Sequence, residues 1–289
     1  MLTDNLQRVK RDEFGANLDE KEILEASQID ISQVTLKISK VAEISETELQ
    51  RLFEIFNKFE FVILECEPLP HPEENLLALK KFFGSVKRHK LAAPNGITSI
   101  ENLRNSPLAK TYVATTNKMH LMHTDGSYEM EPPKIVAMQC EVPSKNGGFS
   151  QIVYAKSVYE YLRRNHPQEL HNLFTHALTI ARTEETATRP IFVEQEGRIS
   201  MTFRSDSVVS MTIPPQMEKV YNIIKNYVNE PKNHFTYQLK AHQILLIDNT
   251  SVLHGRTSFP EHEFRKLNKL CFDGISEYCR HLQFGFIPK

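Results

Sequence analysis

The chain has 289 residues, 40% of them hydrophobic and 25% charged, and its 35 basic and 36 acidic side chains leave a formal charge of −1. That balance excludes the electrostatic footprint of a protein drawn to nucleic acid or to an anionic membrane, and no apolar run reaches the ~18 residues of a membrane span. The composition is that of a folded protein with a sizeable core, and the length fits one elaborated domain over 1–289.

In chain order, residues 1–30 are polar and charged and read as a peripheral N-terminal arm. Without a signal-peptide core or a membrane span, the protein is expected in the cytoplasm. A Ser45-x-x-Glu48 capping box precedes Leu49, Leu52, Phe53 and Phe56 at helical spacing, which predicts an amphipathic helix to Phe59. The apolar run at 61–64 reads as a strand. Pro68, Pro70 and Pro72 then break the chain, and helical spacing resumes from Glu73 to Phe83, where Gly84 caps it. Residues 87–116, with Pro94, Gly96 and Pro107, show no sustained period and form a candidate active-site lid.

Strand-like runs follow at 134–142, 150–155, 177–182, 190–195, 198–204, 235–239, 244–248 and 269–275. Helices are expected only from Ser157 to Asn165 and from Pro215 to Val228, the second with Met217, Val220, Ile224 and Val228 in a stripe. Many short strands with few helices favour a barrel or sandwich over a doubly wound parallel sheet. Cys66, Cys140, Cys271 and Cys279 form neither a CxxC pair nor a disulfide spacing and read as reduced core residues.

The chemistry begins at His123-Thr124-Asp125. In an extended segment, side chains two apart share a face, so His123 and Asp125 can reach one cation while Thr124 points away. A third ligand is available in His254, which ends a short run after the Asp248-Asn249 turn. Two imidazoles and one carboxylate suit non-haem iron(II), although zinc hydrolases use the same set. His120, three residues before His123, is expected to face the opposite side of the strand and to stay outside the ligand set.

The order of motifs adds to this. The run at 61–64 is followed by Phe83-Gly84 and by His123-x-Asp125-Gly126-x-Tyr128; then come Pro133, Cys140, Gly147-Gly148-Phe149-Ser150, Asp248-Asn249, His254-Gly255-Arg256 and Arg265-Lys266-Leu267-Asn268-Lys269. In that order and spacing, from Phe59 to Ile275, the chain resembles the family of taurine dioxygenase, clavaminate synthase and carbapenem synthase. The resemblance implies a mainly β protein with peripheral helices around a double-stranded β-helix, or jelly-roll, core. It implies iron(II) as metal, with 2-oxoglutarate and dioxygen as cosubstrates.

In relatives of this kind an arginine 11–16 positions after the distal histidine and a hydroxyl after a Gly-Gly pair hold the distal carboxylate of 2-oxoglutarate. The counterparts here are Arg265, Lys269 and Ser150. Relatives commonly carry R-x-x-x-R, whereas this chain has Arg265 and Lys269, which compete for one role; the planar fork of a guanidinium favours Arg265. Arg256, two positions past His254, is placed to help with the 1-carboxylate or a substrate acid. Tyr128 and Arg204 are candidate substrate contacts. The carboxylate at Asp125 argues against halogenation and for hydroxylation, with desaturation and cyclisation open. The HTDGSY and DNTSVLHGRTSF segments resemble the branch acting on small molecules and natural products, including isonitrile-pathway oxygenases. Two competing readings are a zinc-dependent hydrolase and a non-catalytic binding protein on the same scaffold; the sequence sets no oligomeric state.

Overall fold

The computed structural model describes residues 29–104 and 106–288, so the N-terminal arm lies almost wholly outside the described residues. The first part of the chain holds strands β1 (Thr35–Ile38), β2 (Phe61–Cys66), β3 (Thr98–Glu101), β4 (His120–His123), β5 (Ile135–Val142) and β6 (Ser150–Tyr154). Helices α1 (Glu46–Phe59), α2 (Glu73–Ala78) and α3 (Lys80–Phe83) lie among them. Then come α4 (Ala155–Asn165), α5 (Pro167–Leu170), α6 (Asn172–Thr175), β7 (Leu178–Arg182), β8 (Glu185–Arg189), β9 (Phe192–Gln195), β10 (Arg198–Met201) and β11 (Ser210–Thr212). The last part holds α7 (Pro215–Asn229), β12 (Phe235–Tyr237), β13 (Gln243–Asp248), β14 (Val252–Arg256) and β15 (Lys266–Phe272).

Two sheets carry the architecture: a six-stranded one in the order β1-β2-β13-β5-β15-β3 and a four-stranded one in the order β12-β6-β14-β4. Only β1 and β2 pair in parallel; the other neighbours in these sheets are antiparallel. The uninterrupted apolar runs of β2 and β13 belong at the centre because both of their faces are covered. On one side lies α1. On the other, Phe61 meets Phe235 and Tyr154 of the four-stranded sheet, with ring centroids 5.4 and 6.4 Å away.

Alternation along the four-stranded sheet decides which side chains enter this interior. Val252 belongs to the core between the sheets and Leu253 to a second core under α4 and α7, so the next residue, His254, returns to the interior. The same alternation sends Met122 outward and His123 inward.

Local signals explain most boundaries. The backbone N–H of Ser45 donates to Glu48 Oε2 at 2.8 Å and that of Glu48 to Ser45 Oγ at 3.3 Å, the reciprocal cap expected from sequence. The single helix expected from Glu73 to Phe83 is split at Leu79 into α2 and α3. Gly84 ends it at φ +92°, where a Cβ would come within 2.3 Å of Asp273 Oδ1. Residues 87–116 are not wholly irregular, since β3 pairs with β15 and buries Ile100. The last strand starts at Lys266 and stops at Phe272, earlier than the apolar pattern suggested; Lys266 and Asn268 are satisfied by Glu141 on the neighbouring strand. The polar strand β8 was invisible as a pattern because only Ala187 of it is buried. No helix among the described residues is long and apolar enough to cross a membrane.

Leu246, fully buried at the centre of β13, tests this core. Leu246→Ala should cost about 2–5 kcal/mol in a urea titration, whereas Val193→Ala, on the exposed face of β9, should stay within about 0.5 kcal/mol of wild type.

Candidate metal centre

His123 closes β4 and sits directly opposite His254 of β14 in the antiparallel register. Their ring centroids are 4.4 Å apart. Asp125 lies just beyond the end of β4, in a turn. Thr124 turns away and exchanges hydrogen bonds with the backbone of Phe203, its own N–H donating at 2.8 Å and its hydroxyl accepting at 3.1 Å. Asp125 is thereby sent back inward. Its backbone is clamped by Asn249, whose carboxamide oxygen accepts from the Asp125 N–H at 2.8 Å while its nitrogen donates to the carbonyls of Asp125 at 2.9 Å and Pro133 at 2.7 Å.

One ligand atom from each of His123, Asp125 and His254 lies within 4.8 Å of the others, and all three residues are buried. Nδ1 of His123 is 2.8 Å from the carbonyl of Leu121, which can only accept, so that nitrogen carries the proton and Nε2 is left with a lone pair. Burial first, and His123 second, push His254 down to about 3, leaving a neutral imidazole. Burial opposes ionisation of Asp125, but the Lys269 ammonium and the two imidazoles outweigh it and hold the carboxyl well below the usual carboxylate range. Neutral imidazole nitrogens and an ionised carboxylate are the forms that bind a divalent metal.

His120 does not face away as strand alternation suggested. In the β4–β14 ladder His123 opposes His254 but His120 opposes Arg256, so Leu121 and Met122 of one strand face Gly255 alone of the other. This bulge reverses the parity and stacks His120 on His123, centroids 4.0 Å apart. His120 Nε2 lies 3.7 Å from Asp206, and His120 is not part of the cluster of His123, Asp125 and His254.

Arg265 stands just before β15 and Lys269 within it, past a register shift between Lys266 and Leu267, and the two cations are in different surroundings. Lys269 Nζ is 2.9 Å from Asp125 Oδ2. Arg265, four residues and so about 13 Å back along the strand, makes no hydrogen bond or ion pair among the described residues. Its side chain passes over Gly148, where a Cβ would come within 2.9 Å of it. Ser150 stands opposite Arg256 on one side and Tyr237 on the other. The buried Tyr237 hydroxyl has no hydrogen-bond partner among the described residues. Burial pushes Arg265 down to about 10, and burial together with Arg265 pushes Arg256 down to about 9. One terminal nitrogen of Arg256 donates to the carbonyls of Thr116 at 2.8 Å and Lys118 at 2.5 Å, while its buried Nε has no hydrogen-bond partner among the described residues.

A narrow cavity of ≈ 40 Å³ adjoins Asp125 and is walled by Tyr112, Tyr128, Arg182, Arg204 and Lys269. Arg204 reaches it, but its Nε donates to Asp206 at 2.7 Å. Tyr128 accepts from Arg182 at 3.1 Å. Sequence reasoning missed Asn249 as a clamp, Tyr237 and Arg182. The Asp248-Asn249 turn gave a signal for the first; the other two are placed only by strand register and sheet packing.

A family model described as "Taurine catabolism dioxygenase TauD, TfdA family" matches residues 21–271. The chain belongs to that family. It is similar to trimethyllysine dioxygenase of Meyerozyma guilliermondii, 28% identical over 170 residues, or 53% of this chain and 42% of that protein; it thus spans less than half the length of that relative. Among solved structures, AAD-2 in complex with Mn(II) and N-oxalylglycine matches with a TM-score of 0.64 at 12% identity, over 84% of this chain and 96% of that one. PvcB, described as an Fe, alpha-ketoglutarate dependent oxygenase from an isonitrile synthetic pathway, matches at 0.58 and 17%, over 82% and 85%. At such identities these two likenesses show the fold. The family match agrees with the motif order read from sequence.

The clamp generates a test. Asn249→Ala leaves the Asp125 amide without its acceptor and frees the turn, so affinity for cobalt(II), followed by its visible absorption, should fall by about 10–100-fold. Unchanged affinity would show that the clamp does not orient the ligand.

Proposed function

We propose that the protein is a non-haem iron(II)- and 2-oxoglutarate-dependent dioxygenase that oxidises a small molecule, hydroxylation being the default outcome, on a single domain with a double-stranded β-helix core. The observation that carries this is the convergence of two imidazoles and one carboxylate, the carboxylate lining a cavity, in a chain of the TauD, TfdA family. The donor set fits: two nitrogens and one oxygen leave positions free for a chelating cosubstrate. When bound, iron(II) with 2-oxoglutarate and dioxygen supplies the oxidising power, with succinate and carbon dioxide as coproducts.

The chain's own residues supply position and charge. His123, Asp125 and His254 would hold the metal, and Lys269 keeps the Asp125 carboxylate ionised. Arg265 would take the distal carboxylate of 2-oxoglutarate, helped by the hydroxyls of Ser150 and Tyr237. Arg265 is preferred to Lys269 because Lys269 already holds a carboxylate and Arg265 holds none. Arg256 lines up beside Ser150 and adds positive potential there. Tyr128 contributes a wall of the substrate cavity. Residues 87–116 act as a lid: their Tyr112 closes one side of the cavity, and Arg182 and Arg256 hold them through the carbonyls of Thr111 and Thr116. A zinc hydrolase would have no use for the unpaired Arg265. Four buried free thiols fit a reducing compartment such as the cytoplasm.

Under anaerobic conditions, iron(II) plus 2-oxoglutarate should develop the weak visible band of an α-keto acid chelated to iron, and His123→Ala and His254→Ala should each abolish it. Removing one partner of a buried charge pair costs about 3–5 kcal/mol, so Arg265→Gln should raise the 2-oxoglutarate Kd by roughly 10²–10³-fold or more, and Lys269→Gln much less. The reverse order would transfer the role to Lys269. Absence of the band with iron bound, together with no iron-dependent succinate formation, would sink the oxygenase reading.

A further inference from the structure

We infer that Arg182 anchors an acidic group of the substrate, so that the site selects a small molecule bearing a carboxylate or similar oxyanion and rejects quaternary ammonium compounds. The inference rests on the oxygenase reading in one respect, that the cavity beside His123, Asp125 and His254 receives the substrate.

Three cations wall that cavity, and two of them are matched. Lys269 is paired with Asp125 at 2.9 Å and Arg204 with Asp206 at 2.7 Å. Arg182, at the end of β7 and only 8% exposed, has no ion-pair partner among the described residues. One terminal nitrogen donates to the Tyr128 hydroxyl at 3.1 Å and the other to the Thr111 carbonyl at 2.8 Å. Its buried Nε has no hydrogen-bond partner among the described residues. A buried charge with an orphaned donor is costly unless a partner arrives, and the Nε–H edge of a guanidinium matches the two oxygens of a carboxylate.

The aromatic rings strengthen the case. A trimethylammonium group is recognised by open aromatic faces. Here the guanidinium of Arg182 lies 3.9 Å from the centroid of Tyr112 and 5.1 Å from that of Tyr128, and Arg204 approaches Tyr128 to 5.8 Å. The rings that would make a cage are therefore occupied by cations of the protein itself. A quaternary ammonium entering this cavity would meet like charge. That sets the chain apart from the relative whose name specifies trimethyllysine.

The same contacts hold Arg182 rigid, with two hydrogen bonds and two ring faces fixing its plane. An acidic group bound there would orient the rest of the substrate toward the Asp125 side of the cavity, since both residues line it. Arg182 is thus a positioning and specificity-determining residue.

The arginine Nε–H signals of 15N-labelled protein, carrying zinc(II) in place of iron and saturated with 2-oxoglutarate, give a direct test. The Arg182 signal is identified by its loss in Arg182→Lys or, should that variant not fold, through the side-chain carbons of wild-type protein. Acetate, methylphosphonate and methanesulfonate are titrated separately, with tetramethylammonium chloride and potassium chloride as controls. A saturable shift of this signal with acetate supports a carboxylate; one with either of the other acids supports the oxyanion and names its class. No shift with any of the three overturns the inference, as does a saturable shift with tetramethylammonium beyond the chloride control. It is also overturned if Arg182→Lys weakens 2-oxoglutarate as strongly as Arg265→Gln, since Arg182 would then serve the cosubstrate. If zinc or 2-oxoglutarate fails to bind, the oxygenase reading falls separately, and the titration on metal-free protein still decides the role of Arg182.

Discussion

The carboxamide of Asn249 is the joint on which the centre depends. It bonds both the N–H and the carbonyl of Asp125 and reaches Pro133 as well, tying the turn after β4 in one sheet to the turn after β13 in the other. The neighbouring Asp248 makes this possible. Its buried carboxylate accepts from the backbone and hydroxyl of Thr250, the hydroxyl of Ser251 and the N–H of Gly285, so the turn that presents Asn249 is itself fixed. The two histidines need no such device, because strand alternation already turns them inward and cross-strand pairing brings them face to face. The third ligand lies beyond its strand, and its position has to be built.

Charge is distributed through the interior by a simple rule. Cations close to the ligand cluster are matched within the protein: Lys269 by Asp125 and Arg204 by Asp206. Arg182, Arg256 and Arg265 are buried without a carboxylate among the described residues, Arg256 donating to the carbonyls of Thr116 and Lys118. Burying a lone charge is expensive unless a partner arrives, and under the proposed function the cosubstrate would match Arg265 and the substrate Arg182. Distance separates the two cations, since Lys269 stands beside Asp125 and Arg265 lies four residues back, just before β15.

The bulge between β4 and β14 has a chemical consequence as well. It brings a third imidazole against His123 and sets His120 beside Asp206. Burial, and then His123, keep His120 well below its usual range, so it adds no charge to the centre. Stacked there, it buttresses the His123 ring and lies 3.7 Å from Asp206.

By itself the sequence picked out the three residues that converge, His123, Asp125 and His254, the strand-rich architecture and the α1 cap, because each rests on a local period or on motif order. It also placed Ser150 and Arg256, which turned out to be cross-strand neighbours. Only the tertiary structure decided which cation stands by Asp125, which side His120 takes and where Arg182 and Tyr237 stand. The physical reason is range and parity. Lys269 meets Asp125 across 144 positions and Arg182 meets Thr111 across 71, so no local pattern contains these pairs. A single extra residue in one ladder inverts every face that alternation would assign, and nothing in the run from His120 to His123 announces it.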